Sequence, residues 1–316
     1  MTMTDTSPRF VVRLHQGGSG YAYLREIFRA ADGLGYDAAS LYDLLGIPTL
    51  ECWTTLSALA AETERIRLIP MVLANLYRHP ATLAKMAATL DVISEGRLVL
   101  GIGAGGGEGD HKAYGLPYPS TRERVAMVGE AVQVVRLLWS GERVSFEGNH
   151  YRLNNALCDP APVQQPAPPI LIGGHGERHL LRVAAAHADI TNMSADMSIA
   201  EHEAKRRVVD AHCAAVGREP SEVALSHNAH VFIGRDEAAV EALLAGHAAR
   251  HAVSVERFRA SMGNAIVGTP EQCVEQIRLY TDYGIGWFFL LFPEPVSVGD
   301  LELFASEVMP HFRDPQ

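Results

Sequence analysis

The chain has 316 residues, of which 47% are hydrophobic and 20% charged, enough apolar volume for a packed core and no compositional mark of disorder. Its formal net charge of −10, with no Lys/Arg run, argues against a nucleic-acid surface, because a phosphate backbone would be repelled. Four scattered cysteines (Cys52, Cys158, Cys213 and Cys273) form no C-x-x-C pair and indicate neither a zinc site nor a disulfide framework. Met1 to Arg9 is polar and no apolar run reaches about 18 residues, so the expectation is a soluble, cytoplasmic protein without a membrane partner.

Short aliphatic runs alternate with segments of helical periodicity, the pattern of repeated βα units around a parallel sheet. The strand-like runs are Phe10–Leu14, Asp37–Tyr42, Ile66–Leu73, Arg97–Ile102, Pro169–Ile172, Asp189–Met193, Val223–Ile233 and Gly286–Leu291, and a helix-like segment follows each. Among those helices, Glu51–Glu64 is rich in Ala and Leu, and Pro80–Leu90 opens on a proline where a missing N–H costs nothing. Thr121–Trp139 repeats valine on one face, and a helix from Thr269-Pro270-Glu271 stops near Gly284. The reading is an α/β (β/α)8 TIM barrel, one domain over residues 1–316. Two segments break the rhythm, about 104–120 and 141–168, and both read as insertions at the C-terminal mouth. The second carries a hairpin signal around Glu147-Gly148-Asn149 and a proline-rich passage from Pro160 to Pro169.

Gly101-Ile102-Gly103-Ala104-Gly105-Gly106 follows a strand in a G-x-G-x-x-G pattern, but Gly107-Glu108-Gly109 and Tyr114-Gly115-Leu116-Pro117 postpone a helix to about Thr121. A Rossmann fingerprint needs its helix at once, so a backbone-exposing loop on a barrel rim is the better reading. A second strand, Ile170–Ile172, runs into Gly173-Gly174-His175-Gly176 ahead of a helix read as Arg178–Ala186, with Arg178 and His179 in its first turn. Exposed N–H groups at glycines make an anion site, so two such loops point to a phosphorylated cofactor.

Three stretches carry a family likeness: Leu50–Leu68, Tyr77-Arg78-His79-Pro80-Ala81 and Lys85–Gly105. Together with Ile172-Gly173-Gly174 and Val267-Gly268-Thr269-Pro270-Glu271, they resemble the luciferase-like monooxygenases, most closely their coenzyme F420-dependent branch. The resemblance implies a barrel whose mouth holds F420, or alternatively FMN, and a small-molecule substrate. It also implies a homodimer. It puts a bulge with a cis non-prolyl peptide at Val72, Leu73 and Ala74, with Asn75 beside it. Gly103, Ala104, Gly105, Gly106 and Gly107, and Gly173, Gly174, His175 and Gly176, take the phosphate side. Two departures stand out: Asp43-Leu44 where the family commonly has Asp-His, and Gly105-Gly106-Gly107 where it has Gly-Trp.

With F420 the expected chemistry is hydride transfer to or from an organic substrate, with a side chain handling the proton. The candidates are His15, Asp43, Glu108 and His111, each with a plainer alternative: a solvated His15, a capping Asp43, a Glu108 paired to Arg122 or Arg124, a structural His111. With FMN the chemistry would be monooxygenation with O2 through a C4a-hydroperoxide, which demands exclusion of water. A barrel that keeps the cofactor but has lost catalysis is a third reading.

Overall fold

The structure, a computed structural model, describes residues 7–18, 20–174 and 176–313. Twelve strands are present among these: β1 Arg9–Leu14, β2 Ala38–Leu41, β3 Arg67–Pro70, β4 Leu73–Ala74, β5 Leu100–Gly103, β6 Val144–Glu147, β7 Arg152–Ala156, β8 Ile170–Gly173, β9 Ile190–Asn192, β10 Ala224–Ile233, β11 Ile266–Gly268 and β12 Ile285–Leu291. Nine of them run parallel in the order β3-β2-β1-β12-β10-β9-β8-β5-β4. β3 and β4 are two halves of one broken strand. A parallel bridge from Leu68 to Leu98 closes the ring, with Leu68 N–H donating to the Arg97 carbonyl (3.0 Å) and Val99 N–H to the Leu68 carbonyl (3.1 Å). The chain is therefore a (β/α)8 barrel, and each of the eight strand-like runs in the sequence lies on one of its staves. β11, a short Ile-Val-Gly strand, pairs outside the ring with β10 and was not legible as a strand.

Helices Tyr21–Gly33, Cys52–Ala60, Pro80–Ile93, Thr121–Leu138, Leu180–His187, Ile199–Val216, Pro270–Asp282 and Val298–Glu307 lie between or after the staves. Their starts follow local chemistry. Glu51 caps Cys52–Ala60 by accepting from Trp53 N–H (3.0 Å) and Thr54 N–H (2.7 Å), and Pro80 takes the first position of its helix. Inside the ring, Val11, Ala38, Ile69, Met71, Val99, Leu171, Ile190 and Phe289 form one buried cluster. The barrel axis is thus filled by side chains, which leaves only its ends for a ligand.

The two insertions differ from expectation. Within 104–120 a short helix, Glu108–Ala113, begins directly after Gly107, well before Thr121. Gly107 makes this possible, because its φ of 74° is a left-handed conformation that suits glycine. Segment 141–168 forms the hairpin β6–β7 but lines neither large cavity of the mouth. It lies along the outside of the barrel: Glu130 accepts from the N–H groups of Asn149, His150 and Tyr151, and Asp91 from those of Val163 and Gln164. Carboxylates on neighbouring helices thus satisfy the backbone of a loop that would otherwise compete with water.

His202 and His227 pair in the core behind β10, with ring nitrogens 3.0 Å apart and His227 stacked on Tyr280. Burial lowers His202 to about 4, and burial together with His202 lowers His227 to about 3, while Glu201 and Asp196 oppose these shifts weakly. In the unfolded chain both take up protons near the ordinary 6.5. Their contribution to stability is therefore complete above that pH and is lost as pH falls towards 4 and 3. The urea midpoint is expected to drop more between pH 7 and pH 5 in the native chain than in a His202→Leu/His227→Phe variant. Equal slopes would contradict the assignment.

Candidate active site

The inward-facing side chains change character as each stave approaches the mouth. On alternate positions Val11 gives way to Arg13 and His15, Ala38 to Ser40 and Tyr42, and Val99 to Gly101 and Gly103. Likewise Leu171 leads to Gly173, Ile190 to Asn192, and Ala224 to Ser226, Asn228 and His230. Apolar packing fills the lower barrel; glycine and polar groups occupy the rim.

The third stave breaks at Met71-Val72, which is a cis non-prolyl peptide, as the family resemblance implied. Val72 projects into a slot formed by glycines of the adjoining staves. A Cβ on Gly103 would lie 2.8 Å from Val72 Cγ2, and one on Gly173 2.7 Å from Val72 Cγ1. On Gly101 it would lie 2.1 Å from the Pro70 carbonyl oxygen. Real Cβ atoms do not approach so closely, so these glycines first of all make room for the break in β3–β4. Register then sets Ala74, Gly103, Gly173 and Asn192 side by side across four neighbouring strands, the floor of the mouth.

Asp43 holds the other side of the break. Its carboxylate accepts from Ala74 N–H (3.0 Å) and from both terminal nitrogens of Arg78 (2.8 and 3.1 Å), and its side chain is 1% exposed. Arg78 also reaches Glu51 (2.5 Å). These three donors take most of the acceptor positions of Asp43, which braces the bulge while also lining the cavity above it.

Above the floor opens a cavity of about 800 Å³. Met71, Val72, Leu44, Tyr77 and Val125 give it apolar walls, and the backbones of Ala104, Gly105, Gly106 and Gly107 and of Gly174 and Gly176 form one end. Arg124, Arg178 and His179 line that same end. Arg124 is fixed by the Pro119 carbonyl (2.7 Å), Thr121 Oγ1 (3.3 Å) and the ring of Tyr118 (4.0 Å). Neither arginine forms an ion pair among the described residues, and Asp110, next to Gly107, is a carboxylate in the same lining. Glu177, another acidic residue of that lining, pairs with Lys205 at 2.5 Å, which holds its carboxyl below the usual range. The helix expected from Arg178 begins instead at Leu180, which leaves Arg178 and His179 in the loop that lines the cavity. His175 lies outside the described residues.

Other candidates sit elsewhere. Leu73 is buried in the core opposite Ile102, because one step along a strand reverses the side chain, and Asn75 donates to Tyr151 Oη (3.0 Å) of the hairpin. Neither lines the cavity. Glu108 is exposed in the first turn of Glu108–Ala113, with no bond to Arg122 or Arg124. His111 is fully buried between Tyr77 and Tyr118 beneath Gly105, also outside the cavity lining. His15 is exposed, accepts from Gly17 N–H (3.2 Å) and faces a second cavity of about 620 Å³.

That second cavity occupies the other half of the mouth, over β1, β10 and β12, and shares Arg13 and Tyr42 with the first. Arg13 donates to Asn228 Oδ1 (2.9 Å) and lies 4.8 Å from the Tyr42 ring centroid. Asn228 is in turn bonded to Asn192 (3.1 Å). This polar chain, with Asp196 and His230 behind it, escaped a reading centred on loops. Its signal was nonetheless present as polar residues on the inward phase of strands, Arg13 in RFVVRL and Asn228 with His230 in ALSHNAHVFI.

A filled barrel with a cationic, glycine-lined cavity on its C-terminal rim is the architecture of a cofactor-binding oxidoreductase barrel. The profile of the luciferase-like monooxygenases matches residues 6–286, and the chain belongs to that family. It is 27% identical to the F420-dependent glucose-6-phosphate dehydrogenase of Intrasporangium calvum over 90% of this chain and 92% of that one. Its fold superposes with a TM-score of 0.81 on the coenzyme F420 dependent tetrahydromethanopterin reductase of Methanopyrus kandleri, at 22% identity over 97% of this chain and 100% of the other. The FMN-bound oxygenating constituent of 3,6-diketocamphane monooxygenase from Pseudomonas putida superposes with a TM-score of 0.77, at 21% identity over 98% and 100%.

The glycine slot predicts a specific pair of phenotypes. Gly173→Ala is expected to destabilise the cofactor-free protein by about 1–3 kcal/mol through overpacking against Val72, and Val72→Ala in the same chain to restore most of the loss. Thermal unfolding of the two variants checks this; additive losses would show that the two side chains do not share the slot.

Proposed function

We propose that the chain is an F420-dependent oxidoreductase that moves hydride between the deazaflavin and a small organic substrate. The observation that carries this is the first cavity, where a floor of Val72, Ala74, Gly103 and Gly173 adjoins an end formed by glycine backbone and the guanidinium groups of Arg124 and Arg178. Such a site fits a planar ring with a phosphorylated tail. Gly105, Gly106, Gly107, Gly174 and Gly176 would face the phosphate with Arg124 and Arg178, and Val72, Ala74, Gly103 and Gly173 would lie against the ring. Once bound, F420 supplies a carbon that gives or accepts hydride. The protein's part is to hold that ring against the bulge, cover it from water with Tyr77 and Leu44, and place a substrate beside it. Support for F420 over FMN comes from the F420-dependent relative in Intrasporangium calvum and from the sequence blocks around Tyr77–Ala81 and Lys85–Gly105. A homodimeric, cytoplasmic enzyme is part of the same reading; its four cysteines are free and buried, and no helix among the described residues is long and apolar enough to cross a membrane.

Calorimetric titration with F420 and with FMN tests the cofactor, with micromolar binding of F420 and much weaker binding of FMN expected. The reverse order would replace F420 by FMN, and failure of both would overturn the reading. Gly106 gives a clean probe of the phosphate end, since a Cβ there meets nothing within 4 Å. Gly106→Asp is expected to weaken F420 binding by about tenfold or more, roughly 1.4 kcal/mol, while Gly106→Ala leaves it unchanged. Equal affinities would move the phosphate elsewhere.

A further inference from the structure

His111 is the most thoroughly buried imidazole near the first cavity, and it is unsatisfied. Packing between the rings of Tyr77 (centroids 5.1 Å apart) and Tyr118 (4.9 Å) keeps it out of the cavity lining, at 0% exposure. Neither Nδ1 nor Nε2 has a hydrogen-bond partner among the described residues. His202 and His227, also buried, at least spend one ring nitrogen on each other. A buried polar group without a partner costs free energy, and ring contacts cover the faces of an imidazole but not the nitrogens on its edge. An apolar ring would fill the same place without that cost.

The ring is held in place from several sides. The His111 carbonyl accepts from Leu116 N–H (2.8 Å), and Tyr114 Oη donates to the Leu45 carbonyl (2.8 Å), which ties the short helix Glu108–Ala113 to the loop after β2. Of the imidazole atoms, Nε2 stands nearest to Gly105. A Cβ on Gly105 would lie 3.6 Å from His111 Nε2 and 3.4 Å from Ala74 Cβ, which are ordinary contact distances. Gly105, with a φ of 73°, therefore leaves a methyl-sized slot walled by Ala74 and His111. Ala74 and Gly105 both line the first cavity, so the slot adjoins it. It lies where the floor of the cavity passes into its glycine-lined end.

We propose that His111 is a ligand-binding residue of the first cavity, whose Nε2 reaches through the slot at Gly105 to hydrogen-bond the hydroxylated chain that joins ring to phosphate. The proposal rests on the cofactor reading of that cavity. F420 and FMN both carry such a polyol chain, so His111 reads the part they share rather than the ring that distinguishes them. A hydroxyl donates as well as accepts, and so pairs with Nε2 in either tautomer. Tyr77 and Tyr118 set the plane of the imidazole, and Gly105 keeps the way to it open. Tyr118 also carries the Arg124 guanidinium on its ring (4.0 Å), which links His111 to the cation at the phosphate end.

Side-chain ¹⁵N NMR of the native chain is expected to show the His111 Nε2 signal shifting as F420 binds, or as FMN binds if that is the cofactor taken. In calorimetric titrations with the same cofactor, His111→Phe keeps a ring between Tyr77 and Tyr118 and is expected to bind at least about tenfold more weakly. His111→Gln loses the ring but keeps a hydrogen-bonding group near the Nε2 position, and is expected to stay within about threefold of the native chain. A role in packing alone would reverse that order. Gly105→Ala fills the slot without touching His111, carries the test where His111→Phe does not fold, and is expected to weaken binding by a similar factor. An unmoved Nε2 signal, or native affinity in His111→Phe or Gly105→Ala, would overturn the proposal while leaving the cofactor reading intact. A native chain that binds neither F420 nor FMN would overturn both.

Discussion

The fit of Val72 between Gly101, Gly103 and Gly173 is the constraint on which the mouth of this barrel depends. A strand that breaks at its rim displaces backbone and side chain into space that neighbouring staves normally fill. Here β5 and β8 yield that space by having no side chains at three inward positions, and Asp43 ties down the far side through Ala74 and Arg78. Removing one partner of such a pair typically costs about 3–5 kcal/mol, because the other charge is left buried without its partner. The row from Ala74 to Asn192 exists because these two devices act together. The glycines of the two loops therefore divide into two groups: those within β5 and β8 accommodate the bulge, and those beyond the strand ends line the first cavity.

From that floor the mouth divides into two halves with distinct electrostatics. The half over β4, β5 and β8 is lined by glycine backbone and arginines, while the half over β1, β10 and β12 is largely apolar, with Arg13 and Arg250 set among Asp196 and Glu294. Arg13 and Tyr42 stand between them, linked through Asn228 to Asn192 at the edge of the floor.

Much of this was legible in the amino-acid order. The eight staves announce themselves because parallel strands buried on both faces read as short aliphatic runs between amphipathic helices. The two glycine loops were visible as well. Function at the level of side chains was less accessible, for identifiable reasons. Leu73 and Asn75 sit beside true cavity residues but on the opposite phase of a strand, a distinction that depends on knowing where β3–β4 breaks. Asp43 was found, but its partner Arg78 lies 35 residues on, and only the fold shows that the carboxylate is bonded to it. His111 is drawn away from the cavity by Tyr77 and Tyr118, a contact between distant segments. Asp196 and His230, 34 residues apart, meet because a loop after β9 returns to β10, while the polar residues on inward strand positions were the local clue. Segment 141–168 was legible as a hairpin, but its sequence carries no record of the carboxylates, Glu130 and Asp91, that hold it to the neighbouring helices.

The measurement that bears most directly on the whole account is a crystal structure of the protein with F420 bound. The account predicts the deazaflavin ring against Val72 and the row Ala74, Gly103 and Gly173, with the phosphate at Gly105–Gly107 near Arg124 and the second cavity open beyond Arg13. Density for the ring in the second cavity, or a phosphate distant from the glycine loops, would contradict it.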